Sequence, residues 1–162
     1  MVTLSIVNAF PYIRKRDGEG DNETGFKPCP LAPINVTICP DPPVAGQNSS
    51  FDIWGSLART IPDGSKIGVI FANVTDPPVI LGQPFSTSFC DKVKCPVQPY
   101  TEFNTTVQVP TPNELPDKYA ILVAILNQTA NQTQVLGCAV DLVGIYQDSL
   151  SYSKISTSSL WG

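Results

Sequence analysis

The residues able to do chemistry in this chain are five cysteines, a scatter of carboxylates and a set of asparagines in glycosylation sequons. Its 162 residues include no histidine. That absence removes Ser-His-Asp and Cys-His nucleophilic catalysis, histidine metal sites and zinc-hydrolase chemistry together. Asp41, Asp63, Asp76, Asp91 and Asp117 mostly stand beside proline or glycine, where an aspartate's default task is to close a turn with its own backbone. No Gly-x-Ser-x-Gly elbow and no glycine-rich phosphate loop occurs. The expectation is a protein that is not an enzyme and needs no cofactor or metal.

The remaining reactive groups speak of the compartment. Seven of the nine asparagines, Asn22, Asn35, Asn48, Asn73, Asn104, Asn127 and Asn131, stand in Asn-x-Ser/Thr sequons. Such a density predicts a glycosylated chain that is secreted or held in the secretory-pathway or vacuolar lumen. Five cysteines in an exported chain predict two disulfides and one thiol left over, with connectivity open. Cys90 and Cys95 enclose only Asp-Lys-Val-Lys and suit a small loop. Met1–Phe10 has a short apolar stretch without a basic flank, and Arg14-Lys15-Arg16 reads as a cleavage site or as a solvated charge run.

These groups need elements to position them. Apolar residues make up 42% of the chain, enough for one buried core, and the net charge of −4 weighs against nucleic acid as a partner. Sixteen prolines and eleven glycines punctuate the chain too often for long helices. Ile34–Ile38, Phe51–Leu57 and Phe103–Val109 alternate apolar and polar, Lys66–Val74 and Tyr119–Leu126 are apolar on both faces, and Gln134–Ile145 carries a last strand. Short pieces with period-two alternation predict an all-β, antiparallel, two-sheet sandwich over residues 26–147. Residues 1–25 read as a leader or propeptide-like segment with linker, and 148–162 as a Ser-rich tail.

What this sandwich offers is apolar surface. Two sheets stand about 10 Å apart and large side chains normally fill the gap. In Tyr119–Leu126 one face is Tyr119, Ile121, Val123 and Ile125, and the other is Ala120, Leu122, Ala124 and Leu126. Turned inward, the alanine-bearing face would leave room for an acyl chain or sterol, because an unfilled apolar void is costly. Facing phenylalanines and leucines would fill the same space without a guest.

The motifs from about Phe26 to Ile145 resemble the ML lipid-recognition family, and most closely its fungal phosphatidylglycerol/phosphatidylinositol transfer proteins. Phe26-Lys27-Pro28-Cys29 resembles the opening cysteine, and Cys39 to Gln47 (CPDPPVAGQ) the proline-rich turn before the second long strand. Cys90-Asp-Lys-Val-Lys-Cys95-Pro96 resembles the small disulfide loop, and Leu115-Pro116, a long apolar strand and Gly137-Cys138 resemble the closing segment. The resemblance implies an immunoglobulin-like sandwich with an apolar cavity between its sheets, and disulfides Cys29–Cys138 and Cys90–Cys95. It implies one phospholipid or sterol held inside and exchanged through transient membrane contact. Cys39 has no partner in that pattern.

Matching the Leu-Pro segment to the family places Ala120, Leu122, Ala124 and Leu126 inward, with Leu115 at the mouth and the 62–66 and 76–85 turns beside it. The implied lipid-contacting set adds Phe51, Ile53 and Leu57 from one strand and Val69 and Phe71 from the next. Phe103 and Val107 follow, with Val140 and Leu142 from the last strand. The competing expectation is an immunoglobulin-like adhesion or recognition module with a filled core and no lipid; a trap that sequesters lipid is a third. Oligomeric state is open.

Overall fold

The computed structural model describes residues 25–30 and 32–144. The leader-like segment up to residue 24, with Asn22 and the basic triplet, and the tail from 145 onward lie outside the described residues.

Eight strands form two antiparallel sheets, and no helix occurs among the described residues. They are β1 (Lys27–Pro28), β2 (Asn35–Cys39), β3 (Asn48–Ser56), β4 (Lys66–Asn73), β5 (Val79–Ser88), β6 (Glu102–Pro110), β7 (Tyr119–Gln128) and β8 (Thr133–Val143). One sheet runs β1-β8-β7-β4-β5 and the other β2-β3-β6. The three-stranded sheet follows the alternation expected of a sheet wet on one side. On β6, for instance, Phe103, Thr105, Val107 and Val109 are buried while Asn104, Thr106 and Gln108 are exposed. β4, β7 and most of β8 are buried on both faces.

Two strands were not foreseen. β1 is two residues long and is held by its pairing of Lys27 with Val140 and Pro28 with Ala139. β5 occupies most of the 76–85 segment read from sequence as a turn. Its interior Gly82 and Pro84 suggest a turn, yet both are accommodated because β5 is an edge strand, where a missing N–H breaks no ladder on the open side. The register skips between the pairs Val69–Phe85 and Phe71–Leu81. Gly82 sits there at φ 69°, and a Cβ on it would lie 3.3 Å from Pro112, so the position needs both the conformation and the small size of glycine.

The sheets are joined chiefly on one side and at the ends. The Cys138 N–H donates to the Ala32 carbonyl at 2.8 Å, while the Cys138 carbonyl accepts from Cys29 N–H at 3.0 Å. The Cys29–Cys138 disulfide locks the same place across 109 residues of sequence, and Cys90–Cys95 closes a small loop. Cys39 is a free, exposed thiol. Beyond the ladders, Ile61 and Val97 exchange two hydrogen bonds of 2.9 Å, and Gly46 N–H donates to the Pro112 carbonyl at 2.9 Å. Edge strands β5 and β6 share no ladder.

Candidate functional site: the apolar interior between the sheets

The side chains that meet between the sheets form one continuous cluster. Val36 and Ile38 of β2, Phe51 and Ile53 of β3, and Phe103, Val107 and Val109 of β6 face Ile67, Val69 and Phe71 of β4. From β7 the inward residues are Tyr119, Ile121, Val123 and Ile125, and from β8 Leu136, Ala139 and Val143. Phe51, Ile53, Ile121 and Val123 are 0% exposed, so the middle of the interior is sealed from water.

This arrangement corrects the inward assignment of the alanine-bearing face. Ala120 and Leu122 lie on the opposite side of the five-stranded sheet, in a second cluster with Ile70, Ala72, Val140 and Leu142. Ala124 and Leu126 lie there too, beside Cys138 and Cys29. Val140 and Leu142, expected to line the interior, are therefore turned away from it as well. The physical reason is the disulfide. Ala124 pairs directly with Cys138, and its small side chain leaves space for the Cys29–Cys138 bridge. The β-branched face, with Ile121 opposite Phe71, Val123 opposite Val69 and Ile125 opposite Ile67, goes to the gap between sheets, which takes bulky residues. The room that two inward alanines would have supplied is absent. Of the expected set, Phe51, Ile53, Leu57, Val69, Phe71, Phe103 and Val107 do belong to the interior cluster, and Leu115 packs against its rim.

The two ends of the interior differ. At the end carrying Leu57 and Ile61 the packing is tight. A Cβ on Gly137 would come within 2.8 Å of Ile34 and 3.2 Å of Leu57, and the rings of Phe89 and Phe103 meet edge-on at 5.4 Å. The opposite end, where β4 finishes and β7 begins, carries polar groups among the apolar ones. There Ser49 and Thr111 share a buried hydrogen bond of 3.0 Å, and Asp141 is buried on the inward side of β8 between Ala139 and Val143. Phe71 and Tyr119 approach to 6.3 Å, and Phe26 meets Phe51 edge-on at 6.2 Å.

The open flank is the β5 edge. Leu81 and Phe85 on β5, Val93 in the small disulfide loop and Leu115 in the β6–β7 connection are half-buried and pack on the interior cluster. The alternation gave no sign of Leu81 and Phe85, because a Gly-x-Pro bulge separates them; the bulky residues Val79, Ile80, Leu81 and Phe85 around that punctuation were the available signal. The polar chemistry elsewhere is sparse. Asp63 lies with the sulfurs of Cys90 and Cys95 within 4.8 Å, but both sulfurs are spent in the disulfide and no thiolate is left to bind a metal.

The fold is a two-layer antiparallel β-sandwich with a disulfide on one flank and a filled apolar interior. The sequence profile of the ML domain matches residues 23–140, and the chain belongs to that family. Phosphatidylglycerol/phosphatidylinositol transfer proteins from two strains of Cryptococcus neoformans var. neoformans serotype D, JEC21 and B-3501A, are each 30% identical over 122 residues. The match spans 64% of this chain and 62% of the length of those relatives. Among solved structures, the C-terminal domain of Wzt superposes with a TM-score of 0.50 at 11% identity over 78% of this chain and 80% of that one, a likeness of fold alone. Chicken MD-1 complexed with lipid IVa superposes with a TM-score of 0.48 at 14% identity, over 73% and 86% of the two chains.

Proposed function

We propose that this protein is a non-enzymatic lipid carrier of the secretory route, holding one amphiphile, a phospholipid before a sterol, between its sheets. The observation that carries this reading is the polarity of the interior. It is mainly apolar, with the Thr105 hydroxyl on β6 as an exception. It is tightly shut at the Gly137 end, where the buried Ser65 hydroxyl is spent on the Pro62 carbonyl, and the Ser49–Asp141 end carries hydroxyl and carboxyl groups. An amphiphile fits that gradient one way round, with its tails toward Phe51 and Val123 and its head near Ser49, Thr111 and Asp141. The names of the two fungal relatives favour a glycerophospholipid.

Because the middle of the interior is sealed, loading requires the soft flank to part. β5 and β6, on the side away from the hydrogen bonds between Cys138 and the Ala32–Ile34 segment, can separate without breaking a ladder, and Leu81, Phe85 and Leu115 form the seam. Transfer is then partition between bilayer and interior, with apolar burial of about 25 cal/mol per Å² as the driving term. The negative net charge disfavours lasting attachment to anionic membranes, so exchange takes place in brief encounters.

The filled, sealed core is the observation favouring a recognition module that binds no lipid, and one assay separates the two readings. Protein secreted from a eukaryotic host is extracted with organic solvent and, in parallel, offered fluorescent phospholipid in donor vesicles. The carrier reading expects about one lipid per chain and protein-dependent transfer to acceptor vesicles, both reduced by Leu81→Asp. Empty extracts together with absent transfer overturn it.

A further inference from the structure

The solvent face of the three-stranded sheet carries one feature that lipid carriage does not use. This face is built from short polar side chains: Asn35 and Thr37 on β2, Ser50, Asp52 and Ser56 on β3, and Asn104, Thr106 and Gln108 on β6. In the middle of it stands Trp54, 37% exposed. The part of its indole left in water is a flat apolar face on which something of matching shape can stack.

The register supplies that something. Asn35 of β2 pairs directly with Trp54, and Trp54 pairs directly with Asn104 of β6, so the three side chains form one row across the sheet. Directly opposed residues hold their Cβ atoms about 4.5–5.5 Å apart, which sets Trp54 between the two amides. Both asparagines head sequons, Asn35-Val36-Thr37 and Asn104-Thr105-Thr106. The next row repeats the symmetry, with Thr37 opposite Asp52 and Asp52 opposite Thr106. There the Thr106 hydroxyl donates to Asp52 at 2.7 Å. The Asn35 Nδ2 atom, the atom a glycan would substitute, already lies 3.5 Å from the Trp54 carbonyl. A secondary amide at that nitrogen retains one N–H to point there.

We propose that Trp54 is the platform on which the first N-acetylhexosamine of an N-linked glycan on its flanking asparagines rests. The indole presents a flat, electron-rich face, and a sugar presents a face of polarised C–H groups. The sugar therefore covers apolar surface without surrendering its hydroxyls to a dry environment. The glycan is held down onto the solvent face of the three-stranded sheet. This inference relies on export through a glycosylating compartment and is independent of lipid carriage: a chain that carries no lipid would still carry the platform.

The test uses the full chain secreted from a eukaryotic host, as wild type and as Trp54→Ser and Trp54→Phe. Site-resolved glycopeptide mass spectrometry reports occupancy, and trimming to single sugars followed by NMR of the labelled acetyl and ring protons reports stacking. The expected result is occupancy at Asn35, Asn104 or both. The sugar signals there should be shifted upfield by the indole ring current, lost in Trp54→Ser and partly kept in Trp54→Phe. Release of those glycans by amidase from the native protein should quicken roughly threefold to tenfold in Trp54→Ser, with release at Asn48 and Asn131 unchanged. Two unoccupied asparagines, or sugar shifts and release rates indifferent to Trp54, overturn the proposal. An equal rise at all sites overturns it too, since that reports a loosened fold.

Discussion

Ser49 and Thr111 show how much a pair of hydroxyls can matter at one end of an apolar interior. Each is buried and each satisfies the other at 3.0 Å. Ser49→Ala leaves the Thr111 hydroxyl buried with its partner gone, a loss of about 1–3 kcal/mol. The double change Ser49→Ala with Thr111→Val removes both polar groups and should recover much of that loss. Urea unfolding of the two single variants and the double variant measures the coupling. If the same pair meets a lipid head, the double variant is also expected to lose phospholipid transfer while regaining stability. Little of this residue-scale chemistry is visible in the sequence. Ser49, the first of two adjacent serines, and Thr111, 62 positions further on, are unremarkable until the β3–β6 register places Ser49 opposite Val109 and the chain turns at Thr111.

At the scale of elements, the two disulfides do different work. Cys29–Cys138 closes 109 residues of chain, and in the chain-entropy account such a closure contributes about 4–5 kcal/mol. It also fixes β1 and β8 where the sheets meet. Cys90–Cys95 closes five and shapes a loop at the soft flank. Cys29→Ala with Cys138→Ala should lower the unfolding midpoint far more than Cys90→Ala with Cys95→Ala. A thermal scan under non-reducing conditions compares the two pairs, and the second pair is expected to change lipid exchange more than stability. The strands themselves were unevenly legible. β2, β3 and β6 announce their facing because one side of each is polar. β7 does not, because Tyr119–Leu126 is apolar on both sides, and the choice of inward face was settled by the neighbour Cys138 and by the bulk that the inter-sheet gap accepts. β5 was hidden by Gly82 and Pro84, which disqualify an interior strand and not an edge one.

For the whole molecule, the contrast between a pinned flank and a soft flank predicts an uneven distribution of stability. Amide hydrogen exchange should be fastest along β5 and the β6–β7 connection and slowest in β7, which is laddered on both sides by β4 and β8. A bound phospholipid should protect β5 and β6 preferentially and raise the unfolding free energy as ligand concentration rises, by about 2.7 kcal/mol at a hundred times its Kd. Uniform exchange, unmoved by saturating lipid, would contradict both the seam and the carrier reading.

Composition and local pattern were enough to establish an all-β chain with no histidine chemistry, two disulfides and a spare cysteine, and the ordered motifs of the ML family. Those properties are local: they depend on residue types and short spacings, which the chain carries whatever its fold. Facing, pairing and end-to-end polarity are not local. Only the assembled sheets decided that Ile121 rather than Leu122 points inward, that Leu81 and Phe85 edge the interior, and that Asn35, Trp54 and Asn104 share a row. Each of these depends on which strand lies alongside which and in what register, and a strand apolar on both faces, or broken by a bulge, does not record its neighbours in its own sequence.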